Sequence, residues 1–240
     1  MDAGAQHIEF DIQYSRDLVP MLIHDFTLER TTGRAGTTGE FLAAELEQIP
    51  VLPAEQSLHN NDGIVIPTLS KAIELLNQHP QTASFVELKR HSMEQFGMQE
   101  CVDRVIAALA SACFKWTLIS FNQDALNYAK RHYGLPIGWV LRHYDDQSRN
   151  TACKLRPEFI FCNYTKLQLD RNPLWPGPWR WVVYDLQDPK LAVSLINHGV
   201  DMIETCCISD MLRTRFFSAV NTTNNNGVQE TAPRQPPQGR

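Results

Sequence analysis

The sequence predicts an α/β fold, a (β/α)8 barrel, on three observations. Short apolar runs alternate with helical patterns along most of the chain. Most of those runs are apolar throughout rather than at every second residue, which marks strands covered on both faces. Polar or acidic residues recur where the runs end, at Asp11, His24, Glu87, Asn122, Asn163 and Asp185, and a barrel of this kind keeps its reactive groups at the carboxyl ends of its strands. With 240 residues, 43% of them hydrophobic, the chain suits one large domain with a full core.

The strand runs, in chain order, are Ile8–Ile12, Val19–His24, Ser84–Leu88, Trp116–Phe121, Pro136–Leu141, Glu158–Cys162, Trp181–Asp185 and Asp201–Thr205. They are rich in the β-branched and aromatic residues that suit a pleated surface. Helical spacing of apolar residues falls between them at Leu69–Asn77, Met98–Ala112, Gln123–Arg131 and Pro189–His198. Pro67 stands just ahead of the first of these and Gly199 stops the last. The glycine-bearing stretch 32–63 reads as an excursion, and LWPGPW at 174–179 is a turn-rich link in place of a helix. The barrel domain is expected over 1–220. The Asn-, Gln- and Pro-rich stretch 221–240 has too little apolar surface to offset its ordering entropy and reads as a disordered tail.

A formal charge of −5 argues against nucleic acid as a partner, because binding a phosphate backbone needs a basic face. No run approaches the ~18 apolar residues of a membrane-spanning helix. Six cysteines occur without a CxxC spacing, so reduced thiols and a cytoplasmic location are expected. Adjacent Cys206 and Cys207 read as packing residues.

Glu9 and Asp11 are two apart on one strand and so share a face. Two carboxylates aimed into one space call for a cation between them, and the oxygen donors suit Ca2+ or Mg2+. The bland alternative is the solvated side of an amphipathic strand. Glu87, set in the apolar run SFVELKR, favours the cation, because a charge in a barrel strand is costly unless it is paired or coordinating. Lys89 is either a phosphate ligand or the partner of Glu87 in a plain ion pair. His24 ends the run PMLI, where an imidazole can act as general acid or base. Asp25 orients it or caps the backbone, and Arg30 fixes a loop or contacts an anion. Trp181 and Phe121 are core aromatics or pocket walls.

These segments resemble the glycerophosphodiester phosphodiesterase family. GAQHIEFDIQYSRDLVPMLIHDFTLERTTG follows the family's opening pattern, and IPTLSKAIELL, FVELK, SFNQDAL, WVVYD and HGVDMIET continue it in order. The resemblance implies a TIM barrel of the phospholipase-C-like phosphodiesterase type. It also implies metal-dependent cleavage of a small-molecule glycerophosphodiester to glycerol 3-phosphate and an alcohol. By position it makes Glu9, Asp11 and Glu87 the ligands of one divalent cation, Ca2+ or Mg2+, and His24 one of two acid/base histidines. Lys89 becomes a phosphate contact and Trp181 the aromatic lining the glycerol side, and Phe121 and Arg30 are further candidate substrate contacts, with the loop role favoured for Arg30.

The family's first strand and helix, with its other catalytic histidine and a phosphate-binding arginine, have no counterpart here, so full activity is expected only with an upstream segment. Leu18 stands where the family usually has a turn glycine. Two further readings follow: a catalytically impaired remnant that binds a phosphorylated ligand or a partner, and a related barrel phospholipase or phosphodiesterase.

Overall fold

The computed structural model describes residues 3–52, 63–167, 169 and 173–213. They form two compact units, one of residues 6–135 and one that joins residues 3–5 to the chain from Pro136 onward. The expected tail at 221–240 lies outside the described residues.

In the first unit β1 (His7–Tyr14) is flanked by β2 (Pro20–Leu22), which is antiparallel to it, and by β3 (Ala83–Leu88), which is parallel. β3 pairs in turn with parallel β4 (Trp116–Ser120). The turn from β1 to β2 is closed by Ser15 N–H donating to Val19 O at 3.1 Å, and it places Leu18 at φ +60°. That conformation suits glycine, because a Cβ crowds the following carbonyl there.

The excursion is a small layer with its own core. Its short helices α1 (Glu29–Thr32) and α2 (Ala43–Leu46) bury Leu28, Ala43, Leu46 and Ile49 together with Met21, Ile23 and Ile66. Helix α3 (Leu69–Leu76) starts at Thr68, whose hydroxyl accepts from Lys71 N–H, and it buries Leu69, Ile73 and Leu76. Their spacing of four and three sets one apolar face.

After β3 the chain turns at once into α4 (Arg90–Phe96), then α5 (Met98–Leu109), with Gly97 at φ +92° between them. Tyr14 ties both helices to β1: its N–H donates to Ser92 Oγ at 2.9 Å and its hydroxyl to Cys101 O at 2.5 Å. Burial pushes the Tyr14 phenol up, so it stays a donor. Helix α6 (Gln123–Tyr133) is capped by Asn122 and ends on Gly134 in the left-handed region.

The second unit has β5 (Ile137–Val140), β6 (Phe159–Asn163), β7 (Arg180–Tyr184) and β8 (Met202–Ile203), each parallel to the next. Helix α7 (Asp146–Leu155) follows β5, α8 (Pro189–Asn197) follows β7 and α9 (Ile208–Arg213) follows β8. Asp188 caps α8 with Pro189 in its first turn, where a missing N–H is harmless. Val183, Leu186, Ala192, Leu195, Val200 and Met211 bury one another between β7 and the last two helices.

Each of the eight expected runs contains a strand, though β2 and β8 shrink to three and two residues. Helices α4 and α7 were not foreseen. Among the residues of α7 only Ala152 is buried, so its sequence carries almost no apolar periodicity to read.

Candidate functional site

The parallel register of β1 and β3 sets Asp11 beside Glu87 and Glu9 beside Phe85. Glu9 and Asp11, two apart, share a face. The result is that carboxylate oxygens of Glu9, Asp11 and Glu87 all lie within 4.8 Å of one another. Glu87 is 7% exposed, and the other two are half-buried.

Lys89 reaches back over the same face. Its Nζ stands 2.6 Å from Asp11 Oδ1 and 2.8 Å from Glu87 Oε1, while its N–H donates to Ile12 O at 3.1 Å and holds the strand end in place. Three carboxyl groups and one ammonium thus share this face. At an effective dielectric near 20, like charges ~4 Å apart repel by about 4 kcal/mol. Burial drives the Glu87 carboxyl above its ordinary value, with Lys89 pulling the other way. Lys89 itself is raised, because Glu87 and Asp11 outweigh the burial that would lower it. The set fits a divalent ion by donor type, all hard oxygens, and by charge.

His24 stands beside this cluster. Ile23 N–H donates to Asp11 O at 3.1 Å, which fixes the next residue beside the middle of β1. The Gln13 side-chain amide donates to His24 O at 3.1 Å and also to the carbonyl of Asp25, so the loop is pinned from the strand below. His24 Nδ1 lies 2.7 Å from Asp25 Oδ1. Arg30 forks onto the same carboxylate, with Nη2 at 2.9 Å from Oδ1 and Nε on Oδ2. The Arg30 hydrogen bond, ahead of the His24 bond, holds Asp25 down at about 2. An ionised carboxylate only accepts, so Nδ1 carries the hydrogen and Nε2 is left for proton exchange on a largely exposed side chain.

The structure thus joins Glu9, Asp11, Glu87 and Lys89, with His24 at the rim. Arg30 and Trp181 each engage other side chains. Arg30 gives Nε and Nη2 to Asp25, five residues earlier, and so positions the histidine loop, while its side chain stays 68% exposed. Trp181 is 4% exposed and is the second residue of β7, toward its amino end. It packs edge-on against Trp175 and Tyr144, with ring centroids at 5.6 and 5.9 Å, and its indole N–H donates to Trp175 O at 3.3 Å. A large ring inside a strand layer fills core volume, so Trp181 is a core aromatic in its own unit. Phe121 is half-buried, directly after β4.

Further contacts form near the strand ends. Phe26 stacks at 4.3 Å on His91, two residues beyond Lys89, so the loop after β2 touches α4. In the second unit Asn163 Nδ2 donates to Asp185 Oδ2 at 2.5 Å, and Asp185 adopts φ +64°. Aspartate enters that left-handed region more readily than most residues, because its short polar side chain can hydrogen-bond locally. The polar ends of both runs were visible in the sequence, but the backbone sign was not. Among the described residues no helix is long and apolar enough to cross a membrane.

A profile of the Glycerophosphoryl diester phosphodiesterase family matches residues 1–164. The mouse protein Glycerophosphodiester phosphodiesterase 1 is 29% identical over 214 residues, which cover 89% of this chain and 57% of that protein. Among solved structures, an Oleispira antarctica phosphodiesterase in complex with the product sn-glycerol-3-phosphate superposes with a TM-score of 0.77 at 21% identity, covering 92% of this chain and 87% of that one. A glycerophosphodiester phosphodiesterase from Thermotoga maritima superposes with a TM-score of 0.68 at 19% identity, over 89% and 87% of the two chains. The fold is the α/β barrel type of these structures.

Proposed function

Because the chain belongs to the glycerophosphoryl diester phosphodiesterase family, we propose that it hydrolyses a small glycerophosphodiester to glycerol 3-phosphate and an alcohol at the Glu9–Asp11–Glu87 face. The observation that carries this reading is the meeting of three carboxylates from two strands within 4.8 Å. Three hard oxygen donors converging on one strand face suit a Ca2+ or Mg2+ ion held by Glu9, Asp11 and Glu87. The bound ion would polarise the phosphoryl oxygens and offset the charge that gathers on them.

The remaining work falls to the chain's own side chains. Lys89, a compact charge on a flexible stem, is placed to leave its carboxylates and meet a phosphate oxygen. His24 exchanges a proton at Nε2 with the entering nucleophile or the departing alkoxide, while Asp25 accepts from Nδ1 and orients the ring. Arg30 keeps Asp25 ionised and so keeps the histidine oriented. Buried Cys101 and Cys162, with all six cysteines unpaired, suit the reducing interior of a cell. The test is release of glycerol 3-phosphate from glycerophosphocholine in the presence of a chelator and after add-back of each ion. Release that needs the ion supports the reading, and release unaffected by chelation refutes it.

A further inference from the structure

We propose that Cys206 and Cys207 form a two-thiol site for a trivalent arsenical carrying one organic substituent. Sequence alone made these residues packing groups, but Cys206 is exposed and Cys207 half-buried, so neither is committed to the core. Their Sγ atoms stand 3.6 Å apart. The Gln187 side-chain amide donates to Cys206 Sγ at 3.5 Å from the loop after β7. Cys207 N–H donates to Thr205 Oγ1 at 3.0 Å, and Cys207 O accepts from Asp210 and Met211 N–H at 3.1 and 3.0 Å. The backbone that carries the pair is therefore fixed between the end of β8 and the first turn of α9.

The separation of the two sulfurs selects the chemistry. A disulfide brings its sulfurs to about 2.05 Å. Two thiolates bound at about 2.3 Å to one tetrahedral centre stand roughly 3.8 Å apart. The observed 3.6 Å lies well outside a disulfide, and a pyramidal trivalent centre, whose angles are narrower than tetrahedral, needs the pair to close up less than a direct bond does. Zinc in a structural site takes four protein ligands. Among the described residues Glu9, Asp11 and Glu87 are the cluster of three or more potential ligands, and the cysteines are not part of one. A centre that needs only two protein thiols and brings its own third substituent matches, and a monosubstituted arsenical does so. The condensation balances without an oxidant: R–As=O and two S–H groups give R–As(S–)2 and water. Both thiol protons leave on the oxygen, and arsenic stays trivalent.

The other cysteines lack one requirement or the other. Burial pushes the thiols of Cys101 and Cys162 up to about 12 and closes them off. Cys113 and Cys153 are exposed, but each stands without a cysteine neighbour in sequence and offers a single As–S bond.

The full chain is treated with one equivalent of phenylarsine oxide and weighed intact, then challenged with excess glutathione or with a dithiol such as dimercaptopropanol. The expected result is one phenylarsenic group per chain that survives glutathione and leaves with the dithiol. It should be retained in Cys113→Ser and Cys153→Ser, and held ~10²-fold more weakly in Cys206→Ser and in Cys207→Ser, as for any two-point attachment reduced to one. Absence of the adduct, its removal by glutathione, or its full retention in either single-thiol variant overturns the proposal. The readout is independent of phosphodiester hydrolysis, so it stands or falls apart from that function.

Discussion

The parallel pair β1–β3 runs in register over six residues and the pair β6–β7 over five, yet the two are furnished in opposite ways. β6 and β7 bury Ile160, Phe161, Cys162, Trp181, Val182 and Val183, the composition that a strand covered on both faces calls for. β1 and β3 carry Glu9, Asp11 and Glu87 where the other pair carries apolar groups, and they hold Lys89 among them. Taking a carboxylate out of water costs several kcal/mol, and a paired lysine returns that only in part. Backbone geometry is common to both pairs, so the acidic set reflects chemistry rather than the needs of the sheet. In the β6–β7 pair the polar groups, Asn163 and Asp185, sit only at the ends and satisfy each other.

This contrast can be broken by substitutions that should separate activity from stability. The largest effect is expected on turnover. His24→Ala should lower glycerol 3-phosphate release by ~10²–10⁴-fold, the usual worth of a general acid or base, while calorimetric cation affinity stays as in the parent chain. An equal loss of both would place the histidine among the ligands instead.

On the apolar side, Trp181→Ala should lower the unfolding free energy by about 3–5 kcal/mol, as for a large core ring. Its cation affinity should not change, and denaturant unfolding with and without the ion checks both. Lys89→Met should bind Ca2+ or Mg2+ about tenfold more tightly, ~1.4 kcal/mol, because it removes an ammonium that competes for Asp11 and Glu87. The same variant should still hydrolyse more slowly.

The two kinds of carboxylate also predict opposite pH windows for thermal stability. Glu87 has its folded value raised by burial above the ordinary 4.5, so its contribution is present below that value and is lost as pH rises through the folded one. A cation that binds the ionised form offsets the loss, and the rise in melting temperature on adding the ion should grow with pH above the carboxylate range. Asp25, held at about 2 against an ordinary 3.8, contributes stability above 3.8 that fades as pH falls through about 2. Melting curves of the parent chain and Asp25→Asn across acid pH should converge only at that low end.

The smallest effect concerns the turn before β2. Leu18 at φ +60° replaced by glycine should gain about 0.5–1 kcal/mol, relief of left-handed strain less the added chain entropy.

The sequence made much of this legible because two signals are local. Spacing of two on a strand fixes Glu9 with Asp11 and Glu87 with Lys89 on shared faces, and continuous apolar runs mark the eight strands. The Leu18 departure was also readable, and the structure shows its cost in backbone conformation. What escaped depends on relations that spacing does not encode. Lys89 could be read as a phosphate contact or as an ion-pair partner, and only the register of β1 with β3 shows that it holds Asp11 as well as Glu87. Arg30 and Asp25 are five residues apart, and the short helix α1 turns them toward each other. Trp181 sat in a run whose carboxyl end was the expected pocket wall, but the strand begins at Arg180, which leaves the ring at the other end among Tyr144 and Trp175. The mostly polar α7 left no periodic stripe to detect.

The central claim is that Glu9, Asp11 and Glu87 hold one divalent cation together. Titration of Ca2+ and of Mg2+ into the folded, chelator-stripped chain and into Glu87→Gln by calorimetry tests it most directly. The account predicts one ion per parent chain and loss of that binding in the variant, with the variant's melting temperature unchanged or raised in the absence of ion. Absence of binding by the parent, or binding in Glu87→Gln at the parent's affinity, would contradict it.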